Sequence, residues 1–158
     1  MTRTGIGSDS HRFAPGRRLV LGGITIPYAE GLAGHSDADV VAHALTDAIL
    51  GAAGAGSIGD LFPDTEARWK DADSMVLLRE AYATVRERGY AFVQCDITVI
   101  AEAPKIGPHA AQMAARIAEV LGAAPGDINV KGKSNEGMGF IGRREGVAAI
   151  AVATLERR

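Results

Sequence analysis

The sequence predicts an α+β protein, with helices packed on one face of a mixed, four-stranded type of sheet and a small β-hairpin beside it. Two segments of helical period, 36–53 and 74–88, precede a long alternating strand at 91–101. β-Branched residues return in two further predicted strands, at Ile128–Lys133 and 146–155. This order of elements is typical of α+β domains with helices on one side of a sheet.

Short strands are predicted before the first helix. Residues 3–8 form the first of them, and residues 18–27 form two β pieces interrupted by Gly22 and Gly23. The helix predicted next, over 36–53, has one apolar face. Its start resembles a capping box in which the Ser36 hydroxyl satisfies a free N–H group.

The later helices have clear ends. Glycine at 89 ends the helix predicted over 74–88, because glycine is the usual residue just beyond a helix C-terminus. Pro108 begins a third helix, which ends at Gly122. His109 has no evident partner in the sequence.

Length and composition predict one domain over 1–158, with no internal boundary. The 158 residues are 47% hydrophobic but only 5% aromatic, so each buried side chain contributes little area. The net charge of −2 argues against a nucleic-acid partner. No apolar run is long enough for a membrane span, the N-terminal residues lack the apolar region of a signal peptide, and a cytoplasmic location is expected. The single cysteine, Cys95, excludes an internal disulfide.

A candidate metal site comes from an Asp-x-His pair and one helical histidine. The period of two in a strand puts Asp9 and His11 on one face, where both can hold one ion. His43 lies on the first predicted helix, and Asp47, one turn further, could orient its imidazole. One carboxylate and two imidazoles suit a catalytic zinc with an open position. A solvated helix face and a surface loop are the alternative.

Two segments are candidates for phosphate binding. His35 and its neighbours precede the first helix, whose N-terminus would attract a phosphate, although an ordinary helix cap is the more common cause of such a pattern. Residues 132–134 resemble the end of a P-loop, but Asp127 stands where that motif requires glycine. The stretch 131–144 is nevertheless basic, as in a phosphate-holding loop or a solvated loop.

Several stretches together resemble the 2-C-methyl-D-erythritol 2,4-cyclodiphosphate synthase family of the non-mevalonate isoprenoid pathway. They are GSDSHRF at 7–13, LGGITIPY at 21–28, GLAGHSDADVVAHALTDAILGAAGAGSIGDLFPDT at 31–65, DITVIAEAPKIGPH at 96–109 and INVKGKSNEGMGFIGRREG at 128–146. The likeness covers nearly the whole chain, in order.

The resemblance implies a role for particular residues. Asp9, His11 and His43 match zinc ligands, and Glu136 matches the carboxylate that holds magnesium or manganese on the substrate diphosphate. His35 and Ser134 match the catalytic positions that stabilise the transition state. The implied substrate contacts are Ser36, Ser57, Ile58, Gly59, Phe62, Pro63, Asp64, Thr65, Glu66, Ala101, Ala103, Pro104, Lys105, Ile106, Gly107, Lys133, Asn135, Phe140 and Arg143.

The reaction implied is closure of CDP-methylerythritol 2-phosphate to a cyclic diphosphate with release of CMP. The 2-phosphate attacks the β-phosphorus in line, while the ions neutralise charge. The resemblance also implies a homotrimer with active sites between subunits. Because 158 residues are too few to include the cytidylyltransferase domain that is fused in bifunctional relatives, a stand-alone synthase is expected. A zinc-dependent phosphohydrolase and a non-enzymatic trimer that binds isoprenoid diphosphate are the alternatives.

Three residues depart from the family pattern. Ser57 stands where aspartate is common near the substrate hydroxyls, so a contact there is shortened or lost. Ser134 replaces threonine and keeps the hydroxyl group. Ser8 replaces an apolar residue and makes the expected central cavity of the trimer more polar, which puts isoprenoid-diphosphate binding there in doubt.

Overall fold

The computed structural model describes residues 1–158 and contains seven strands and three helices of more than ten residues. The strands are β1 (Thr2–Ala14), β2 (Leu19–Leu21), β3 (Ile24–Ile26), β4 (Gly31–Leu32), β5 (Tyr90–Ile100), β6 (Ile128–Lys133) and β7 (Gly146–Arg157). The α-helices are α1 (Val40–Ala53), α2 (Ile58–Leu61), α3 (Ser74–Glu87), α4 (Ala110–Leu121) and α5 (Gly139–Gly142). Short 3₁₀ turns cover Ala67–Trp69, Gly107–His109 and Pro125–Asp127.

The main sheet is mixed, as predicted, with the strand order β4-β1-β7-β5-β6. β5 and β6 run parallel, and the other pairs are antiparallel. Four strands are long, and the two-residue β4 adds a fifth at the edge. β2 and β3 form the separate hairpin. β1 is much longer than the predicted strand at 3–8, because its backbone pairs with β7 along most of its length. The sequence did not predict this length, since Gly5, Gly7 and Ser8 interrupt any alternation of apolar residues.

One face of the sheet carries the helices. Along β7, Val147, Ala149, Ala151, Ala153 and Leu155 are fully buried, whereas the residues between them are partly or fully exposed. This alternation places the core between the sheet and the helices, and 39 buried residues form one hydrophobic cluster there. No helix of the chain has both the length and the apolar character needed to cross a membrane.

Helix α1 packs directly on the backbone of β1. A Cβ atom built at Gly5 would lie 2.1 Å from the Ala48 carbonyl oxygen, and one built at Gly7 would lie 2.0 Å from that of Ala44. Both positions therefore require glycine, since any side chain would push the helix away. This close approach brings His43, on the first turn of α1, beside Asp9.

The predicted cap of this helix is wrong in detail. α1 begins at Val40, and Asp39 is its N-cap, because the Asp39 carboxylate accepts hydrogen bonds from the N–H groups of Val41 and Ala42. The same carboxylate also accepts the N–H groups of Gly22 and Gly23 in the hairpin. At this helix N-terminus, the N–H groups of Val41 and Ala42 are thereby occupied and are not available to a phosphate.

Candidate active site

Asp9, His11 and His43 converge as the sequence predicted. Asp9 Oδ2 lies 2.9 Å from His11 Nε2 and 3.0 Å from His43 Nδ1. The candidate ligand atoms of the three residues all lie within 4.8 Å of one another. Asp9 and His11 point to the same face of β1, and α1 supplies His43 from above that face. The three side chains therefore form one potential metal centre that draws on two elements.

The chemistry of these donors fits a zinc ion. His11 Nδ1 lies 2.8 Å from the carbonyl oxygen of Ala33, and a carbonyl can only accept a hydrogen bond. The neutral imidazole therefore carries its hydrogen on Nδ1 and directs the lone pair of Nε2 toward Asp9. A carboxylate and two imidazole nitrogens, all half-buried, are a donor set that zinc prefers.

Electrostatics at this cluster favour a bound cation. Burial raises the pKa of Asp9, but when the two rings are protonated, the hydrogen bonds and positive charges of His11 and His43 together outweigh burial and lower the pKa to about 2. Burial lowers the pKa of His43, whereas its hydrogen bond to Asp9 raises it, and the net direction is upward. Asp9 is thus ionised at neutral pH, and its carboxylate attracts a positive charge to the space between the His11 and His43 rings.

The predicted partner of His43 is wrong. Asp47 Oδ1 accepts a hydrogen bond from the backbone N–H of Ile58 at 2.7 Å, and so holds the start of α2 rather than the imidazole. His43 Nε2 instead lies 2.8 Å from Ser74 Oγ and 3.1 Å from Ser36 Oγ. The sequence gives no sign of this role for Ser74, because Ser74 lies 31 residues beyond His43 and only the docking of α3 brings it near.

A cavity of about 410 Å³ opens beside the metal cluster. It gathers most of the predicted residues of the N-terminal half, and its lining consists of Asp9, His11, His35, Ser36, His43, Ile58, Gly59, Phe62, Pro63, Asp64, Thr65, Trp69 and Leu77. His35 Nε2 lies 3.0 Å from the carbonyl oxygen of Glu66, which orients the ring. Glu66 and Ser57 do not line the cavity. Ser57 caps α2, where its hydroxyl donates to Asp60.

Apolar side chains form part of this wall, and two of them were not predicted as site residues. Trp69 packs against Phe62 with ring centroids 4.9 Å apart, and Leu77 completes the wall from α3. Trp69 is half-buried and packs against the hydrophobic core. It lies on a 3₁₀ turn, where no helical period reveals which way the side chain points.

A second cavity, of about 260 Å³, collects the C-terminal group. Its lining consists of Ala101, Glu102, Pro104, Lys105, Ile106, Gly107, Gly132, Lys133 and Ser134. Ala103, Asn135 and Glu136 adjoin it in sequence without lining it. Glu102, which was not among the predicted site residues, accepts hydrogen bonds from the N–H groups of Asn135 at 2.7 Å and Gly137 at 3.2 Å. It thereby holds the turn that presents Ser134 and Glu136.

Phe140 and Arg143 lie outside both cavities. Phe140 is exposed and lines a third, open cavity together with Ser10, His11 and Arg144. Arg143 Nε pairs with Glu145 at 2.7 Å on the surface. Within one chain, these two residues therefore do not join the predicted substrate contacts.

Strand order keeps the two halves of the predicted site apart. Asp9 and His11 lie on β1, whereas Ser134 follows β6, and β7 and β5 lie between those strands. Three interstrand spacings amount to about 14 Å. A single chain therefore presents the metal cluster and the Ser134 turn as separate surfaces.

Comparison with known proteins relates the chain to one family. The profile of the YgbB family matches residues 2–156. The 2-C-methyl-D-erythritol 2,4-cyclodiphosphate synthase of Bordetella petrii is 56% identical over 155 residues, which cover 98% of this chain and 96% of that protein. The bifunctional enzyme IspD/IspF of Anaeromyxobacter dehalogenans is 58% identical over 154 residues, which are 98% of this chain but only 40% of the larger protein. This chain thus spans about two fifths of such bifunctional relatives.

Solved structures share the fold. The bifunctional IspDF from Campylobacter jejuni superposes with a TM-score of 0.97 and 46% identity, over 100% of this chain and 43% of that chain. A CDP-bound 2C-methyl-D-erythritol-2,4-cyclodiphosphate synthase superposes with a TM-score of 0.89 and 40% identity, over 98% of this chain and 100% of that chain.

Proposed function

Because the chain belongs to the YgbB family of 2-C-methyl-D-erythritol 2,4-cyclodiphosphate synthases, we propose that it is a phosphorus–oxygen lyase that converts CDP-methylerythritol 2-phosphate to the cyclic diphosphate and CMP. The observation that carries this proposal is the convergence of Asp9, His11 and His43 at the edge of a cavity that also contains His35. The activity is assigned to residues 1–158, as one domain in the cytoplasm.

Asp9, His11 and His43 would hold zinc through Oδ2, Nε2 and Nδ1. Bound there, the ion would supply Lewis-acid polarisation of a phosphoryl oxygen. Glu136 is proposed to contact a magnesium or manganese ion that arrives on the substrate diphosphate. The turn that carries Glu136 is exposed, so a metal ion can arrive there together with the substrate.

In the proposed reaction, an oxygen of the 2-phosphate forms a bond to the β-phosphorus. The bond from that phosphorus to the oxygen it shares with the α-phosphate breaks, and CMP leaves with that oxygen. His35 and Ser134 stabilise the transition state by hydrogen bonds to phosphoryl oxygens, and Lys133 contributes positive charge. A phosphate monoester is already nucleophilic, so the chain needs to position the groups rather than supply a strong base.

The two cavities suit the two ends of the substrate. The cavity lined by Phe62, Asp64 and Thr65 is proposed to take the methylerythritol phosphate, because it combines an apolar wall with polar groups. The cavity between Ala101 and Gly107 is proposed to take the cytidine, with Lys133 and Asn135 near the phosphates. Ser57 is committed to capping α2, so its contact with the substrate is expected to be weak.

A homotrimer would complete the site. The separation of the metal cluster from Ser134 within one chain supports a site in which one subunit supplies the first cavity and a neighbour supplies the second. The uncovered face of the sheet also supports assembly, since Ile6 is 69% exposed and Ile150 is 41% exposed there. Phe140 and Arg143 are proposed to reach the substrate at the same interface.

Phosphorus NMR tests the proposal directly. The protein, with zinc and magnesium, is incubated with CDP-methylerythritol 2-phosphate, and CMP together with a cyclic diphosphate is the expected product. CMP without the cyclic product would identify a zinc-dependent phosphohydrolase instead. If the substrate is not converted at all, the alternative of a non-enzymatic trimer that binds isoprenoid diphosphate is favoured.

A variant pair assigns the turnover to the metal cluster. His43→Ala should lose both the bound zinc and at least about 100-fold in turnover, because the open site then lacks one of three ligands. His109→Ala is the matched control, since this histidine lies outside the cluster. Full turnover in zinc-free His43→Ala would contradict the proposed role of the cluster.

A further inference from the structure

Two side chains lie in series behind His43, on the side away from Asp9. His43 Nε2 contacts Ser74 Oγ at 2.8 Å, and the Ser74 hydroxyl in turn hydrogen-bonds Asp37 Oδ1. Ser74 is fully buried, and it is the first residue of α3. The arrangement connects a buried hydroxyl group to the back of a candidate metal ligand.

Counting hydrogens determines the direction of these bonds. A serine hydroxyl has one hydrogen, and a carboxylate has only acceptor atoms, so that hydrogen points from Ser74 to Asp37. Ser74 Oγ can then only accept from His43, which places a hydrogen on Nε2. The neutral ring has one N–H group, and Nδ1 is therefore left with its lone pair directed toward Asp9, 3.0 Å away.

Backbone groups keep Asp37 in this role. Its Oδ2 accepts the N–H of Ser74 at 3.0 Å, and its Oδ1 accepts the N–H of Asp39 at 3.2 Å. The N–H of Asp37 itself donates to the carbonyl oxygen of Ala72 at 3.1 Å, which ties this segment to the start of α3. The carboxylate thus cannot turn away without loss of several hydrogen bonds.

Ser36, the other hydroxyl near His43 Nε2, does not determine which ring nitrogen carries the hydrogen. Its hydroxyl lies 3.1 Å from His43 Nε2, further than that of Ser74, and it accepts the N–H of Ala38 at 3.3 Å. No carboxylate directs its hydrogen, so Ser36 can follow whichever nitrogen state His43 adopts.

We propose that Ser74 and Asp37 are positioning residues that hold His43 in the Nε2–H tautomer, so that Nδ1 is available to a metal ion. The inference deepens the proposed function, since it rests on the metal centre at Asp9, His11 and His43. Partners that fix the tautomer of a metal-binding histidine change metal affinity by about 10- to 100-fold.

Metal affinity gives the first test. Ser74→Ala should bind zinc about 10- to 100-fold more weakly than the unaltered protein, as measured by competition with a chelator at constant pH. Thr84→Ala removes a hydroxyl from the same helix, far from His43, and should leave the affinity unchanged. Equal zinc affinity in folded Ser74→Ala and unaltered protein would overturn the inference. No zinc binding by the unaltered protein would instead refute the metal centre and the proposed function with it.

Nitrogen NMR gives a second test that needs no variant. In zinc-loaded protein with ¹⁵N-labelled histidine, His43 Nε2 should show the shift of a protonated nitrogen and Nδ1 that of a metal-bound one. Zinc bound through Nε2 would overturn the inference even if Ser74→Ala fails to fold. In zinc-free Ser74→Ala, the preference for the Nε2–H form should be lost, which a purely structural role of the hydroxyl would not cause.

Discussion

At the scale of single residues, Asp39 joins the hairpin to the start of α1 through one carboxylate. Oδ1 accepts the N–H groups of Gly22, Val41 and Ala42, and Oδ2 accepts that of Gly23. Burial raises the pKa of Asp39 to about 6, and the charge of Asp37 adds to the rise, while the hydrogen bonds oppose it. The residue therefore caps the helix at a cost in desolvation.

Asp39 predicts a pH dependence of stability. Its pKa in the folded protein lies above the reference value of 3.8, so the folded state binds more protons between pH 4 and 6. The free energy of unfolding should fall as pH rises through this window, by up to roughly 3 kcal/mol. Urea denaturation at several pH values measures it. Asp39→Asn cannot titrate and should lose this slope, so parallel profiles for the two proteins would contradict the prediction.

At the scale of elements, the contact of α1 with β1 determines whether the metal cluster forms. Gly7 lies so close to the helix that a Cβ atom would overlap the backbone at Ala44 and Ala48. Backbone atoms cannot rotate away as side-chain ends can, so the helix itself must move. His43 would then move away from Asp9.

Gly7→Ala should therefore destabilise the protein by about 3 kcal/mol and also weaken zinc binding. Chemical denaturation and zinc titration measure the two effects. Gly126→Ala is the matched control, because nothing lies within 4 Å of a Cβ atom there. Normal zinc affinity in Gly7→Ala would mean that α1 adapts without moving His43.

The turn after β6 depends on Glu102 in a comparable way. Glu136 adopts a left-handed conformation, with φ of 54°, and the backbone on each side of it donates to the Glu102 carboxylate. Without this anchor, Ser134 and Glu136 would lose their relative placement.

Glu102→Ala should lower kcat/KM about 10- to 100-fold, since two hydrogen bonds to a charged group are lost. Glu102→Gln keeps an acceptor oxygen and should retain most activity. Steady-state kinetics of both variants, with unfolding curves to verify their stability, measure the effect. Equal losses in both would indicate that the charge of Glu102, rather than its hold on the turn, matters.

At the scale of the whole molecule, the proposed trimer depends on the uncovered face of the sheet. Ile150→Asp places a charge on that face and should dissociate the assembly, with loss of turnover because each site draws on two subunits. Analytical ultracentrifugation and the NMR assay measure this. Val76→Asp, a similarly exposed position on the helical side, is the control. A monomeric wild-type protein with full turnover would contradict the proposed trimer.

The sequence alone predicted most of the long elements and the convergence of Asp9, His11 and His43 as a candidate metal site. Strand periodicity placed Asp9 and His11 on one face, the Gly22-Gly23 pair marked the hairpin, and helical periodicity placed His43 on α1. These inferences succeeded because each depends on neighbours within a few positions of the chain. The family resemblance added the proposed catalytic and substrate-binding positions.

Only the tertiary structure decided which groups surround those residues. Asp47 holds α2 while Ser74 contacts His43, Asp39 rather than Ser36 caps α1, and Glu102 anchors the Ser134 turn. Each of these contacts except the cap joins residues more than ten positions apart. Local periodicity carries no information about such pairs, because the packing of helices on the sheet determines which side chains meet.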